Sequence, residues 1–215
     1  MSVTIINCEQ RTPEWFAARA GRLTASTVDA IFATGKGGKE AVGRRDLRIR
    51  LALERITGQP IEDGGFINKE MQRGIDLESA ARDAYEGFSG NMVRTTGFVA
   101  HDSLPVGASL DGDVDTFTGL VEIKCPKSAT HLGYLRDRSL PAEYGAQVMH
   151  QLWLTGAQWL DFVSYDDRMP EPLRLFVYRK VPTVAEINAH EAAVVAFLAE
   201  VDAEVGAITA LAEAA

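Results

Sequence analysis

Residues 106–126, VGASLDGDVDTFTGLVEIKCP, restrict the fold more than any other part of the chain. Two apolar runs, 106–110 and 120–125, flank a connection rich in Gly and Asp, which is the pattern of two antiparallel strands and their loop. The spacing predicts a β-hairpin. Side chains alternate along a strand, so Leu120, Glu122 and Lys124 share one face, and Val121, Ile123 and Cys125 the other. Asp111 ends the first run and is expected across the hairpin from the second, which lets Asp111, Glu122 and Lys124 converge. Two carboxylates and an ammonium at one point suit a hard divalent cation and a nucleophilic water.

Two plainer readings compete. Glu and Lys two apart on a strand are often no more than a solvated face. Asp111, Asp113, Asp115 and Glu122 also occupy positions one, three, five and twelve of an EF-hand loop. Against the EF-hand, Thr116 stands where that loop needs Gly, and the flanks are strand-like rather than helical.

Composition sets outer limits. The 215 residues, 46% hydrophobic and 24% charged, suffice for one sizeable core, and one domain over residues 1–215 is expected. Cys8 and Cys125 lie far apart, and no secretory n-region or h-region precedes them, so free thiols and a reducing, cytoplasmic setting are expected. No apolar run approaches the roughly twenty residues of a membrane span. The net charge of −8 argues against coating nucleic acid indiscriminately but leaves a local channel open.

In chain order, residues 3–8 read as a strand and 14–20 as a helix started by Pro13. Ser26 and Thr27 then read as the cap of a helix through Phe32. That hydroxyl-rich terminus near Arg19 is either an anion site or only a cap. Gly35–Lys39 lacks phosphate-loop spacing and reads as a loop. Residues 44–57 form an amphipathic helix stopped by Gly58, with Arg44, Arg45, Arg48, Arg50 and Arg55 as the densest basic cluster, where a phosphate backbone can lie. A helix from Asn68 to about Phe88 places Glu78 within an arc of Met71, Gly74, Ile75, Ala81, Tyr85 and Phe88. A metal or Arg82, four residues on, can compensate that carboxylate. Residues 92–100 read as a strand kinked at Gly97, and Asp102 as a loop cap or an accessory acid. After Pro126 a polar loop leads to a helix over 141–155, on which Tyr144, Gln147, Gln151 and Leu154 share a side. Strands at 159–165 and 173–180 bring one sheet to at least five strands. A Thr183/Glu186 capping box opens a last helix whose apolar stripe packs on its own domain or forms an oligomer seam.

Asp111…Glu122-x-Lys124 resembles the core of the PD-(D/E)XK nuclease superfamily, with Leu110 where Pro commonly stands. Around it, six blocks in order resemble the lambda-exonuclease (YqaJ-type viral recombinase) family. They are Trp15-x-x-x-Arg19-x-Gly21-x-x-Thr24-Ala25-Ser26; Arg73-Gly74 with Glu78 and Ala81; Asp111-Gly112; Glu122-Ile-Lys-Cys-Pro126; Ala146-Gln147-Val148 with Trp153; and Tyr165-Asp166-x-Arg168-Met169. The resemblance implies a restriction-endonuclease-like α/β fold, a central mixed sheet flanked by helices, with helices of 13–58 and a helix at 183–213 packed around it. It implies a magnesium-dependent exonuclease, manganese substituting, that processively digests one strand of linear double-stranded DNA from 5′ ends, releases 5′ mononucleotides and leaves a 3′ overhang. A ring-shaped homotrimer and a single-strand annealing protein as partner are also implied, in phage-type recombination in a bacterial cytoplasm. In site terms it implies Asp111, Glu122 and the Ile123 carbonyl as magnesium ligands, Lys124 acting on the attacking water and Glu78 as an active-site acid. Asp102 becomes a possible second-metal ligand, Arg19 and Ser26 bind the terminal 5′ phosphate, and Gln147 supports the scissile region. Arg45, from the basic cluster, joins the substrate-binding set. An endonuclease or nickase on the same fold, or a non-catalytic DNA-end-binding module, are the alternatives.

Overall fold

The computed structural model describes residues 2–61 and 68–214, a mixed α/β fold of two four-stranded mixed sheets with helices packed on them. In chain order the elements are β1 (Val3–Ile6), α1 (Pro13–Arg19), β2 (Leu23–Thr24), α2 (Val42–Thr57), α3 (Lys69–Ser89), β3 (Phe98–His101), β4 (Val106–Ser109), β5 (Gly112–Val114), β6 (Gly119–Lys124), α4 (Ser128–Asp137), α5 (Gly145–Thr155), β7 (Trp159–Tyr165), β8 (Leu175–Lys180) and α6 (Val184–Glu213). No helix among the described residues is long and apolar enough to cross a membrane.

The single sheet expected from sequence is two, ordered β1-β3-β4-β2 and β5-β6-β7-β8. The predicted hairpin is accordingly smaller. β4 pairs with β3 and β2, and β6 pairs antiparallel only with the three residues of β5. Leu110 and Asp111 are where the chain leaves one sheet for the other. The strand expected over 92–100 is Phe98–His101, with Arg94 bridging separately to Asp113. At Gly97 the Ile6 carbonyl oxygen lies 2.1 Å from where a Cβ would stand, so only glycine permits that approach.

β6 and β7 pair in parallel and are buried on both faces, so the two polar residues of β7, Asp161 and Ser164, are buried as well. On one face Val121, Ile123 and Val163 pack against Ala81 and Tyr85 of α3. On the other, Leu120, Leu160 and Phe162 join Leu51 of α2, Val148 and Leu152 of α5, and Val194, Leu198 and Val201 of α6 in the main core. The α6 stripe thus packs on its own chain. A helix the sequence reading took for a polar loop, α4, fixes His131 between the Ser164 hydroxyl (2.7 Å) and the Leu173 carbonyl (2.8 Å).

Candidate active site

Strand alternation places Glu122 and Lys124 on the β6 face that α5 covers, where a carboxylate only 1% exposed needs donors. Residues four apart on a helix share a face. Gln147 and Gln151 therefore both reach Glu122, one Nε2 donating to Oε1 and the other to Oε2, each at 2.6 Å. Lys124 Nζ donates to the same Oε1 and stands 5.2 Å from the Tyr144 ring centre. Asp111 arrives from the crossover between the sheets, and its Oδ2 accepts the Ile123 amide at 2.8 Å. A strand residue's N–H and C=O point to the same side, so the Ile123 carbonyl also faces the Asp111 side.

Burial, then the Glu122 charge, push the Asp111 carboxyl up to about 8, against the pull of Lys124. Burial alone would lower Lys124, but Glu122 and Asp111 outweigh it and raise it. One ammonium thus offsets two crowded carboxylates, and a divalent cation between them would favour both ionised forms. Among the described residues no three His, Cys, Asp or Glu side chains gather into a metal cluster. The donor set that fits a hard divalent cation is two carboxylates and the Ile123 carbonyl, all oxygen, with water and substrate oxygens to complete the sphere.

In the same hollow of about 480 Å³ lie Arg19 and Ser26. Arg19 lies 4.1 Å from the Trp15 ring centre, and its Nη2 donates to Thr24 Oγ1 (3.3 Å) and Ser26 Oγ (3.2 Å). Burial, and then Arg50, lower Arg19 to about 10, with Glu54 opposing; the guanidinium stays charged at neutral pH. Helix α2 grips the bend behind it. Buried Glu54 accepts the Gly21 amide at 2.8 Å, and Arg55 Nε donates to the Gly21 carbonyl at 2.9 Å. Gly21 has φ +70°, and a Cβ there would meet Arg55 Cγ at 2.7 Å. The expected cap at Ser26 and Thr27 does not form: residues Val28–Phe32 are a 3₁₀ turn without a side-chain cap, and the hydroxyls turn to one another and to Arg19.

A family model for the YqaJ-like viral recombinase domain matches residues 14–158, which include every one of these side chains. The chain belongs to the YqaJ-like viral recombinase family. It is a nuclease. Crystal structures of LHK-Exo, an alkaline exonuclease from Laribacter hongkongensis, superpose with TM-scores of 0.82 for the complex with dAMP and 0.81 for the other, at 39% and 40% identity. Both alignments cover 94% of this chain and 98% of the other. A phage-related exonuclease from Haemophilus somnus 129PT shares the fold, with TM-score 0.66 at 17% identity over 87% of this chain and 96% of its own. No curated protein matches the chain.

Within this YqaJ-like site the structure gathers Asp111, Glu122, Ile123, Lys124, Glu78, Gln147, Arg19 and Ser26 around one hollow. Glu78 borders it and accepts Arg82 at 2.9 Å, the compensating partner four residues on. Asp102 is not brought there. It lies at the far end of β3, accepting hydroxyls from Ser2 and Thr4, because β4 runs antiparallel and carries the chain back before Asp111. Nor is Arg45, which is exposed and pairs with Asp46 at 2.9 Å. The rest of the arginine cluster is largely spent on α6: Arg44 holds Glu200 at 2.7 and 2.9 Å, Arg48 holds Glu204 at 3.1 Å and Arg55 holds Asp202 at 2.6 Å. The EF-hand reading falls as well, since Asp113 pairs with Arg94 and accepts the Phe117 amide. Gln151 and Tyr144 were missed as site residues; the amide pair at i and i+4 was the available signal.

Proposed function

We propose that the protein is a magnesium-dependent exonuclease, with manganese able to substitute, that degrades one strand of linear double-stranded DNA from 5′-phosphorylated ends. It releases 5′ mononucleotides processively and leaves a 3′ overhang. The observation that carries this reading is the shared hollow: Arg19 and Ser26 offer an anion site beside the Asp111–Glu122–Lys124 constellation. That is the arrangement needed to hold a terminal phosphate while a neighbouring phosphodiester meets the carboxylates. Magnesium, held by Asp111, Glu122 and the Ile123 carbonyl, would polarise the phosphoryl oxygens. Lys124, fixed by Glu122, donates hydrogen bonds to the attacking water and to charge building on the phosphoryl group. Gln147 and Gln151 hold the Glu122 carboxylate still. The relative bound to dAMP supports a mononucleotide product in this chain too. Family membership supports, as part of the same proposal, one domain over the whole chain, a homotrimer, a single-strand annealing partner and a cytoplasmic site of action.

End-labelled linear duplex and closed circular duplex, incubated with magnesium or with EDTA, test the reading. Linear DNA is expected to disappear into mononucleotides only with magnesium, the circle surviving; a nicked circle would make the enzyme an endonuclease. Lys124→Ala is expected to lose at least 100-fold in cleavage with duplex affinity changed less than about threefold. Retained cleavage would remove Lys124 from the chemistry.

A further inference from the structure

Arg11 is the third residue of a turn closed by the Thr12 amide on the Glu9 carbonyl (3.4 Å), and its φ is +70°, a conformation glycine usually supplies. The side chain gives the fold nothing visible in return. It is exposed, and its guanidinium has no hydrogen bond or ion pair to any described residue. What it does have is position. It borders the hollow that contains Arg19, Glu122 and Lys124, and also a second one of about 530 Å³ lined by Thr95, Thr96 and Gly97. The two hollows meet at Gln10, Arg11, Ile75, Glu78 and Asp111, and the second lies on the side of Asp111 that Arg19 and Ser26 do not line. Thr96 presents there a buried hydroxyl with no partner among the described residues.

A strand with its terminal phosphate at Arg19 and its scissile phosphodiester at Asp111 must continue past Asp111, and the second hollow is the space beyond. Asp111, Glu78 and Glu9 repel a phosphate there; the Arg11 cation that borders the same hollow offsets them. We propose that Arg11 binds a backbone phosphodiester of the strand being degraded in this second hollow, a step beyond the scissile bond. This rests on the nuclease reading above.

The test is duplex binding in EDTA, by fluorescence anisotropy from about 50 to 200 mM KCl, so that cleavage plays no part. Arg11→Gly is expected to bind 5′-phosphorylated duplex about three- to tenfold more weakly and to lower the salt slope by about one. Its melting temperature is expected to be unchanged or higher, because glycine relaxes the turn. Arg11→Lys, which keeps charge and strain, is expected within about twofold of wild type. Unaltered affinity and slope in Arg11→Gly would overturn the assignment. So would equal losses in both variants, or a melting temperature that falls with affinity, which would make Arg11 structural. Intact duplex binding with weakened competition by dAMP would give the hollow to the released nucleotide instead. Wild-type protein that neither binds nor cuts duplex would remove the nuclease reading itself, whereas cleavage unaffected in Arg11→Gly removes only Arg11.

Discussion

Arg19 shows how one side chain links packing to chemistry. Stacked on Trp15 and surrounded by Thr24 and Ser26, it is desolvated enough to sit near a pKa of 10 yet keeps its charge at neutral pH. If it reads the terminal phosphate, Arg19→Ala should reduce the rate ratio of 5′-phosphorylated to 5′-hydroxyl ends about tenfold or more, an interaction with a charged group being at stake. In wild type that ratio should hold steady to about pH 9 and fall as pH rises through 10, because the cationic form is the binding form. Rates on the two ends across that range check both statements, and equal losses on both ends would point to misfolding. The grouping of Arg19 with Thr24 and Ser26 was legible because the guanidinium and the hydroxyls lie within eight residues of sequence. Asp102 was not placed correctly, because its distance from Asp111 depends on the antiparallel return of β4, which residue spacing does not report.

At the scale of elements, α5 makes a carboxylate tolerable inside the molecule. Its two glutamines donate to both oxygens of Glu122, and Lys124 adds a third donor. Supporting hydrogen bonds of this kind fix ligand orientation, and their loss typically weakens metal affinity about 10- to 100-fold. Gln151→Leu should therefore raise the magnesium concentration giving half-maximal cleavage by that order, with a smaller fall in the rate at saturating magnesium. A magnesium titration of initial rates checks it, and an unshifted midpoint would reduce Gln151 to core packing. The stripe carrying Gln147 and Gln151 was visible at helical spacing, but its target was not. The partner lies on a strand, and helix-to-strand docking leaves no mark in local periodicity. Helix α4 escaped for a related reason. It has no side-chain cap, carries Gly133 in its interior, and is secured by buried His131 and Tyr134 rather than by a continuous apolar face.

Across the whole molecule, the break between β4 and β5 decides where everything else goes: it splits the expected sheet in two, puts Asp111 at the seam and leaves room for α5, α2 and α6 to build the main core. That core encloses a polar pair whose titration reaches beyond the site. His150 Nδ1 lies 3.1 Å from His190 Nε2, joining α5 to α6, with Trp153 packed on both rings and His101 stacked on Trp153. Burial first, and then His190, lower His150 to about 3, and burial lowers His190 to about 4. Depressed pKa values mean that the neutral pair contributes stability above the unfolded-state value near 6.5, lost as pH falls toward the folded values. At pH 5 the unfolded chain has bound protons the folded chain refuses, a loss on the order of 2 kcal/mol per histidine. For the two together, in a chain of this size, that is a melting temperature lower by roughly 10 °C at pH 5 than at pH 7.5. His190→Gln should be less stable than wild type at pH 7.5 yet lose clearly less between the two pH values, because one acid-sensitive group is gone and His150 no longer faces a second imidazole. Melting curves for both proteins at the two pH values decide it. An undiminished difference in the variant would place the acid sensitivity elsewhere in the fold.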